Sequence, residues 1–197
     1  MIRLNLLLYF VVLFSFTCAS QNADFRLLKF LNEGNKPIWD QSMKGLSFSV
    51  YAAMPITVGG IWLNGHFKKD SAQKRSAYKS AVAIGFAIAM SSGIKYLVNR
   101  PRPFVTHPTE IIKRDEAGPY SFPSGHTNAS FATATSLSLT YKKWYVSVPA
   151  YAYAGFVGYS RMRLGMHYPS DVIGGAVLGT ACAWLTWKVE RALNRAK

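Results

Sequence analysis

Residues 144–187 read WYVSVPAYAYAGFVGYSRMRLGMHYPSDVIGGAVLGTACAWLTW. Two apolar stretches, 144–160 and 172–187, enclose a polar insert that carries Arg161, Arg163, His167 and Asp171. Ionisable groups beside membrane-like segments are costly, and their default meaning is functional. Three more apolar stretches lie upstream, at about 45–63, 77–98 and 127–141. Any one of them alone fits a buried helix of a soluble protein. Taken together they predict an all-α, polytopic membrane bundle of five core transmembrane helices. Its Gly, Ala, Ser and Thr content suits close helix packing in lipid.

Composition agrees. Of the 197 residues, 50% are hydrophobic and 16% charged, yet the formal net charge is +14. Soluble domains carry roughly 25% charged residues. An apolar and basic chain is either a nucleic-acid binder or a membrane protein with basic loops. Here Lys and Arg cluster between apolar runs, which excludes nucleic acid as the expected partner and names the bilayer instead. Cys18 and Cys182 sit in different apolar runs and read as small core residues, not as a disulfide.

At the N-terminus a single Arg precedes LNLLLYFVVLFSF and the small residues TCAS. Residues 1–20 therefore read as a signal peptide or as a first, sixth transmembrane helix, and residues 21–197 as one domain. In either case the segment sends residue 21 across the membrane. The segments then predicted inside are NGHFKKDSAQKRSAYK (64–79), YKK (141–143) and KVERALNRAK (188–197), all basic as the positive-inside rule requires. Trp62, Trp144, Trp184 and Trp187 fall near the same inner ends. The outer loop 99–125 breaks the rule with four Arg or Lys residues, which points to an anionic ligand. Residues 22–44 read as a short amphipathic helix, a Gly/Pro turn and a second helical start, lying on the membrane or packed over the bundle.

This topology brings three polar segments to one outer face. Lys95 ends a helix in KYLVNRPRP, whose prolines stiffen the exit. Alone, it reads first as a snorkelling anchor. PSGH (123–126) opens the next helix, with Ser124 as N-cap and Gly125 allowing close backbone approach. Free amides at a helix N-terminus make an anion site. In the third segment Pro169 disfavours a continuous helix, so His167 is expected on a turn with Ser170 or Asp171 opening the last helix. Asp171 is then placed to fix the His167 tautomer and leave the other nitrogen as a nucleophile; an ordinary structural His–Asp pair fits equally. There is no metal-ligand cluster or Walker-type loop. Several cations around histidines suit phosphoryl transfer, which is catalysed mostly by positioning and charge stabilisation.

K-x6-R-P at Lys95–Pro103, P-S-G-H at Pro123–His126 and S-R-x5-H-x3-D at Ser160–Asp171 stand in order and at matching spacing. In these blocks the chain resembles the type 2 phosphatidic acid phosphatase (PAP2) superfamily over about residues 45–187. Of the two arginines in RPRP, the spacing from Lys95 selects Arg102 over Arg100. The resemblance implies a metal-independent phosphatase without cofactor. His167 would attack phosphorus, Asp171 would orient it, and His126 would protonate the leaving oxygen and then activate water. Lys95, Arg102, Ser124, Gly125 and Arg161 would hold the phosphate oxygens. Arg163 matches no motif position. The expected protein is thus a lipid phosphate or pyrophosphate phosphatase of the bacterial inner membrane, open to the periplasm. Undecaprenyl pyrophosphate, lipid A, phosphatidylglycerophosphate and phosphatidic acid are the candidate substrates. A lipid phosphotransferase using the same phosphohistidine and a non-catalytic lipid-binding or transport protein are the alternatives. Vanadium haloperoxidases share the motifs but are soluble and much larger.

Overall fold

The computed structural model describes residues 22–195, so the expected signal peptide or first helix at 1–20 lies outside the described residues. The described chain is helical: α1 (22–32), α2 (Pro37–Phe48), α3 (Val50–Phe67), α4 (Ser71–Val98), the single turn α5 (Pro103–Thr106), α6 (Gly125–Tyr141), α7 (Trp144–Arg163) and α8 (Pro169–Arg195). Among the described residues the only β-type pairing is an isolated bridge between Pro101 and Tyr120. Among the described residues three segments qualify as membrane spans by length and composition: Pro37–Phe67, Ser71–Val98 and Pro169–Arg195. Large apolar side chains such as Ile56, Phe86, Phe156, Ile173 and Val177 point outward along the bundle, as a lipid-facing surface requires.

The helices outrun the apolar stretches that announced them. α4 starts at Ser71, inside the basic segment expected to be loop, because Asp70 caps it through a bond from the Gln73 amide (3.0 Å). Hydropathy registers only the part of a helix that needs lipid. Ala, Gln, Lys and Arg have strong helix propensity and continue the coil beyond it. For the same reason α8 runs through the basic tail to Arg195. Asn99, in the left-handed conformation (φ 50°), stops α4 and turns the chain into the RPRP segment.

α6 is the central helix, its Ser, Thr and Ala side chains buried from Thr127 to Ser136. Small residues let its neighbours close on it. A Cβ on Gly175 of α8 would lie 2.6 Å from the Ser124 carbonyl oxygen, and one on Gly179 would collide with the Asn128 carbonyl. These glycines are four apart and share one helix face. Gly158 of α7 likewise lies against Val172. Close packing of α6, α7 and α8 therefore draws the PSGH turn and the α7–α8 turn together at one end of the bundle.

α1 caps that end. Leu28 is fully buried with Ile111 and Tyr168, and Phe25, Phe104 and Met162 pack around them. Asn32 Nδ2 donates to the carbonyls of Arg163 (3.0 Å) and Ile112 (3.1 Å), while its Oδ1 accepts from the Ile112 amide (2.8 Å). Of the two sequence alternatives for this segment, packing over the bundle is the one seen.

Candidate active site

The α7–α8 turn forms as Pro169 dictates. Tyr168 precedes the helix, Pro169 occupies its first turn, and Asp171 Oδ2 reaches back to accept the Tyr168 amide at 2.9 Å. This is the carboxylate half of a capping box, with proline where its missing N–H costs nothing. Gly165 (φ 74°) makes the preceding reversal; a Cβ there would meet the Ile112 carbonyl at 2.5 Å. His167 is thereby held on the turn, 2% exposed, and Asp171 is fully buried.

His167, His126, Lys95, Arg102, Arg161 and Gly125 line one cavity of about 330 Å³. The Nδ1 of His167 stands 3.6 Å from Asp171 Oδ2, too far for a direct hydrogen bond. Ser121 fills the gap: its hydroxyl donates to Asp171 Oδ2 at 2.5 Å and lies 3.5 Å from His167 Nδ1. On the other side of the ring, Arg102 Nη1 is 3.3 Å from Nε2. A guanidinium only donates, so Nε2 is the acceptor and the proton belongs on Nδ1, toward Ser121 and Asp171. Burial pushes the His167 pKa down to about 3, which Asp171 only partly offsets and Arg102 reinforces. The imidazole is therefore neutral at pH 7 with its Nε2 lone pair turned to the cations.

Arg102 is fixed by the carbonyls of Met166 (2.7 Å) and Gly118 (2.5 Å). Burial, reinforced by Arg161, lowers its pKa to about 10, which leaves it charged at neutral pH. Lys95 Nζ donates to the Tyr120 carbonyl (3.1 Å). Arg161 Nη1 donates to Ser47 Oγ (2.7 Å) and to Asp115 Oδ2 (2.8 Å), while its buried Nε has no partner among the described residues. Ser124 stands at the N-cap of α6, but its hydroxyl pairs with Thr127 Oγ1 (2.9 Å) instead of capping a backbone amide. The first intrahelical bond runs from the Asn128 amide to the Ser124 carbonyl (2.9 Å), so the amides of Gly125 and His126 precede it at the cavity. His126 meets the edge of Tyr51 with 5.3 Å between ring centroids. Val50, Tyr51, Met54 and Ile88 give the cavity an apolar wall from α3 and α4. Among the described residues no three His, Cys, Asp or Glu side chains gather as a metal-ligand set. The arrangement offers a neutral imidazole, a second imidazole, three cations and a helix N-terminus to one anionic group.

The sequence pattern of the PAP2 superfamily matches residues 77–195. The chain belongs to the PAP2 superfamily. It is 29% identical over 181 residues to a lipid A 4'-phosphatase from Bacteroides thetaiotaomicron, covering 87% of this chain and 78% of that one. It is 27% identical over 174 residues to the undecaprenyl-diphosphatase BcrC of Bacillus subtilis, covering 86% and 84%. In structure it resembles the transmembrane PAP2-type phosphatidylglycerolphosphate phosphatase of Bacillus subtilis, with a TM-score of 0.74, 23% identity and 98% coverage of both chains.

Several residues of this PAP2 site escape a motif reading. Ser121 stands three positions before Ser124 and belongs to no block. Arg100, passed over in favour of Arg102, donates to Asp171 Oδ1 at 2.6 Å and to Asp24 Oδ2 at 2.9 Å. Arg163 faces away from the cavity: it donates to Asp40 Oδ1 (2.7 Å) and to the carbonyls of Leu31, Glu33 and Gly34. Arg114 takes the other Asp40 oxygen (3.0 Å), so the basic pair at 113–114 contributes one structural cation and one exposed one.

Proposed function

We propose that this PAP2 protein hydrolyses a lipid phosphate or pyrophosphate through a phosphohistidine on His167. Supporting it most is the convergence of both histidines and all three motif cations on one cavity with an apolar wall. That wall fits a hydrocarbon chain entering from the bilayer while the phosphate meets the charged end. The Nε2 lone pair of His167 attacks the terminal phosphorus, whose bond to the leaving oxygen breaks: the lipid oxygen in a phosphate monoester, the bridging oxygen in a pyrophosphate. His126, which takes up a proton as the anionic phosphate enters among the cations, gives that proton to the leaving oxygen. Arg102, Arg161, Lys95 and the amide of Gly125 stabilise the charge on the phosphoryl oxygens, a role that in many phosphoryl transferases falls to metal ions. Ser124 shapes this turn. Asp171 stabilises the Nδ1–H of the phosphorylated ring. His126, now neutral, takes a proton from water; the hydroxyl attacks phosphorus, the P–N bond breaks and inorganic phosphate leaves.

The named relatives act on lipid A and undecaprenyl diphosphate, so these head the substrate panel, with phosphatidylglycerophosphate and phosphatidic acid beside them. The cavity faces the periplasm in this proposal, since the opposite end of the bundle carries the basic segments 64–79 and 188–197. The test is phosphate release by purified protein in the presence of chelator. His167→Ala is expected to abolish release while membrane insertion and helical content stay unchanged. Release at the wild-type rate by that variant, or a strict divalent-ion requirement, would overturn the mechanism. Phosphate appearing on a second lipid instead of in solution would make the chain a phosphotransferase.

A further inference from the structure

We infer that Arg100 is a positioning residue for the Asp171–His167 pair, acting through the Asp171 oxygen that is turned away from the imidazole. The inference rests on the phosphohistidine reading above and assigns a residue at an unspecified position of the first motif block.

Asp171 is fully buried. Its Oδ2 receives the Ser121 hydroxyl (2.5 Å) and the Tyr168 amide (2.9 Å) and faces His167. Its Oδ1 receives only Arg100 Nη1, at 2.6 Å, among the described residues. The same guanidinium donates to Ser170 Oγ (2.7 Å) and to Asp24 Oδ2 of α1 (2.9 Å), and it lies 4.1 Å from the Tyr168 ring centroid. Asp24 in turn accepts from the Ser170 amide (2.8 Å). Burial works against the charge on Arg100, but Asp171 and Asp24 hold its pKa above the ordinary value. Its backbone acts on the same point, since the Arg100 carbonyl accepts the Ser121 amide at 2.8 Å.

Removing the guanidinium would strand Oδ1 as a buried, unpartnered anion. Such a carboxylate turns toward another donor or takes up a proton. Either change moves Oδ2 or cancels its charge, and His167 loses the group that stabilises positive charge on its ring during attack. A planar fork that serves two carboxylates and stacks on an aromatic ring is not replaced by a lysine point charge.

The experiment separates this role from mere anchoring of α1. Arg100→Met keeps an unbranched stem and removes the cation; Asp24→Ala removes the α1 anchor and leaves the Arg100–Asp171 contact. Arg100→Met is expected to lower kcat about 10- to 100-fold with KM within about threefold, the scale of a lost charged hydrogen bond. Arg100→Lys should recover part of kcat, and Asp24→Ala should stay within about threefold of wild type. In an Asp171→Asn background Arg100→Met should add little, because the two residues act in series. Equal losses in Asp24→Ala and Arg100→Met, or full kcat in Arg100→Met, would overturn the positioning role. Where Arg100→Met fails to fold, Arg100→Lys against Asp24→Ala decides by the same comparison: a loss in the lysine variant exceeding that in Asp24→Ala supports the role, and the reverse overturns it. A wild-type protein that releases no phosphate from any substrate would instead sink the phosphatase reading, and this inference with it.

Discussion

Gly175→Ala tests whether helix packing sets the geometry of the site. The added Cβ would stand 2.6 Å from the Ser124 carbonyl oxygen and 3.3 Å from the Asn128 amide nitrogen, where ordinary contact begins at 3.4 Å. The obstacle is backbone, so no rotamer relieves it and α8 must back away from α6 by most of an ångström. Asp171 lies one turn from Gly175, and its carbonyl accepts the Ser124 amide at 3.0 Å, so the retreat lengthens the bond joining the two turns that hold His126 and His167. Overpacking of this kind costs about 1–3 kcal/mol. In a chain of this size each kcal/mol lowers the melting temperature by about 2–4 °C. Misplacement near 1 Å costs about 100-fold in rate, so a loss of about 10-fold or more in kcat is expected. Thermal unfolding in detergent and initial rates on a saturating lipid phosphate measure the two effects. Gly155→Ala serves as the control, because a Cβ there meets nothing within 4 Å. If Gly175→Ala matched that control in both melting temperature and kcat, the claim that α6–α8 contact positions the site would be wrong.

Three other perturbations carry equally definite expectations. Asp115→Asn removes the carboxylate that competes for Arg161 at 2.8 Å, and should lower the inhibition constant for inorganic phosphate about three- to tenfold; a higher constant would show that Asp115 organises Arg161 instead. Burial lowers the His167 pKa to about 3 from 6.5, so the folded state binds fewer protons there than the unfolded chain. Its contribution to stability is present above pH 6.5 and is lost as pH falls toward 3; denaturant titrations at pH 7 and 4.5 should show a smaller acid loss in His167→Asn than in wild type. Arg163→Ala leaves the Asp40 carboxylate with one cation and frees the carbonyls of the α1–α2 turn, and should destabilise the protein by about 3–5 kcal/mol; proteolysis within residues 33–36 would report the loosened turn.

Much of the site was legible because its parts are local. Proline at 169, a carboxylate two residues on, glycine at 125 and serine at 124 each bias their own backbone, so the turn and both helix starts followed from neighbours in the chain. The bundle was legible because apolar runs near membrane length, recurring along one chain, match the thickness of lipid and little else. Helix ends were less so, since hydropathy is silent where a helix leaves lipid, and α4 and α8 both extend into basic segments. Ser124 shows the limit of local inference: its position was foreseen, but its hydroxyl chose Thr127 over a backbone amide.

By itself, the sequence determined the class of fold, the order of the three polar blocks and the side chains that meet at the cavity. The first depends on periodicity; the blocks and their side chains follow from the spacing the chain shares with the PAP2 superfamily. Only the tertiary structure decided what Arg100 and Arg163, which the motif spacing leaves without a role, hold. Arg100 and Arg102 are two residues apart in one Pro-rich stretch, yet one turns to Asp171 and Asp24 and the other to His167. Arg161 and Arg163 end the same helix, yet one lines the cavity and the other grips Asp40. Their partners lie 46 to 132 residues away, and long side chains with several donors have no period that announces where they point. A guanidinium goes where buried oxygens are left to satisfy, and that is known only once the helices have packed.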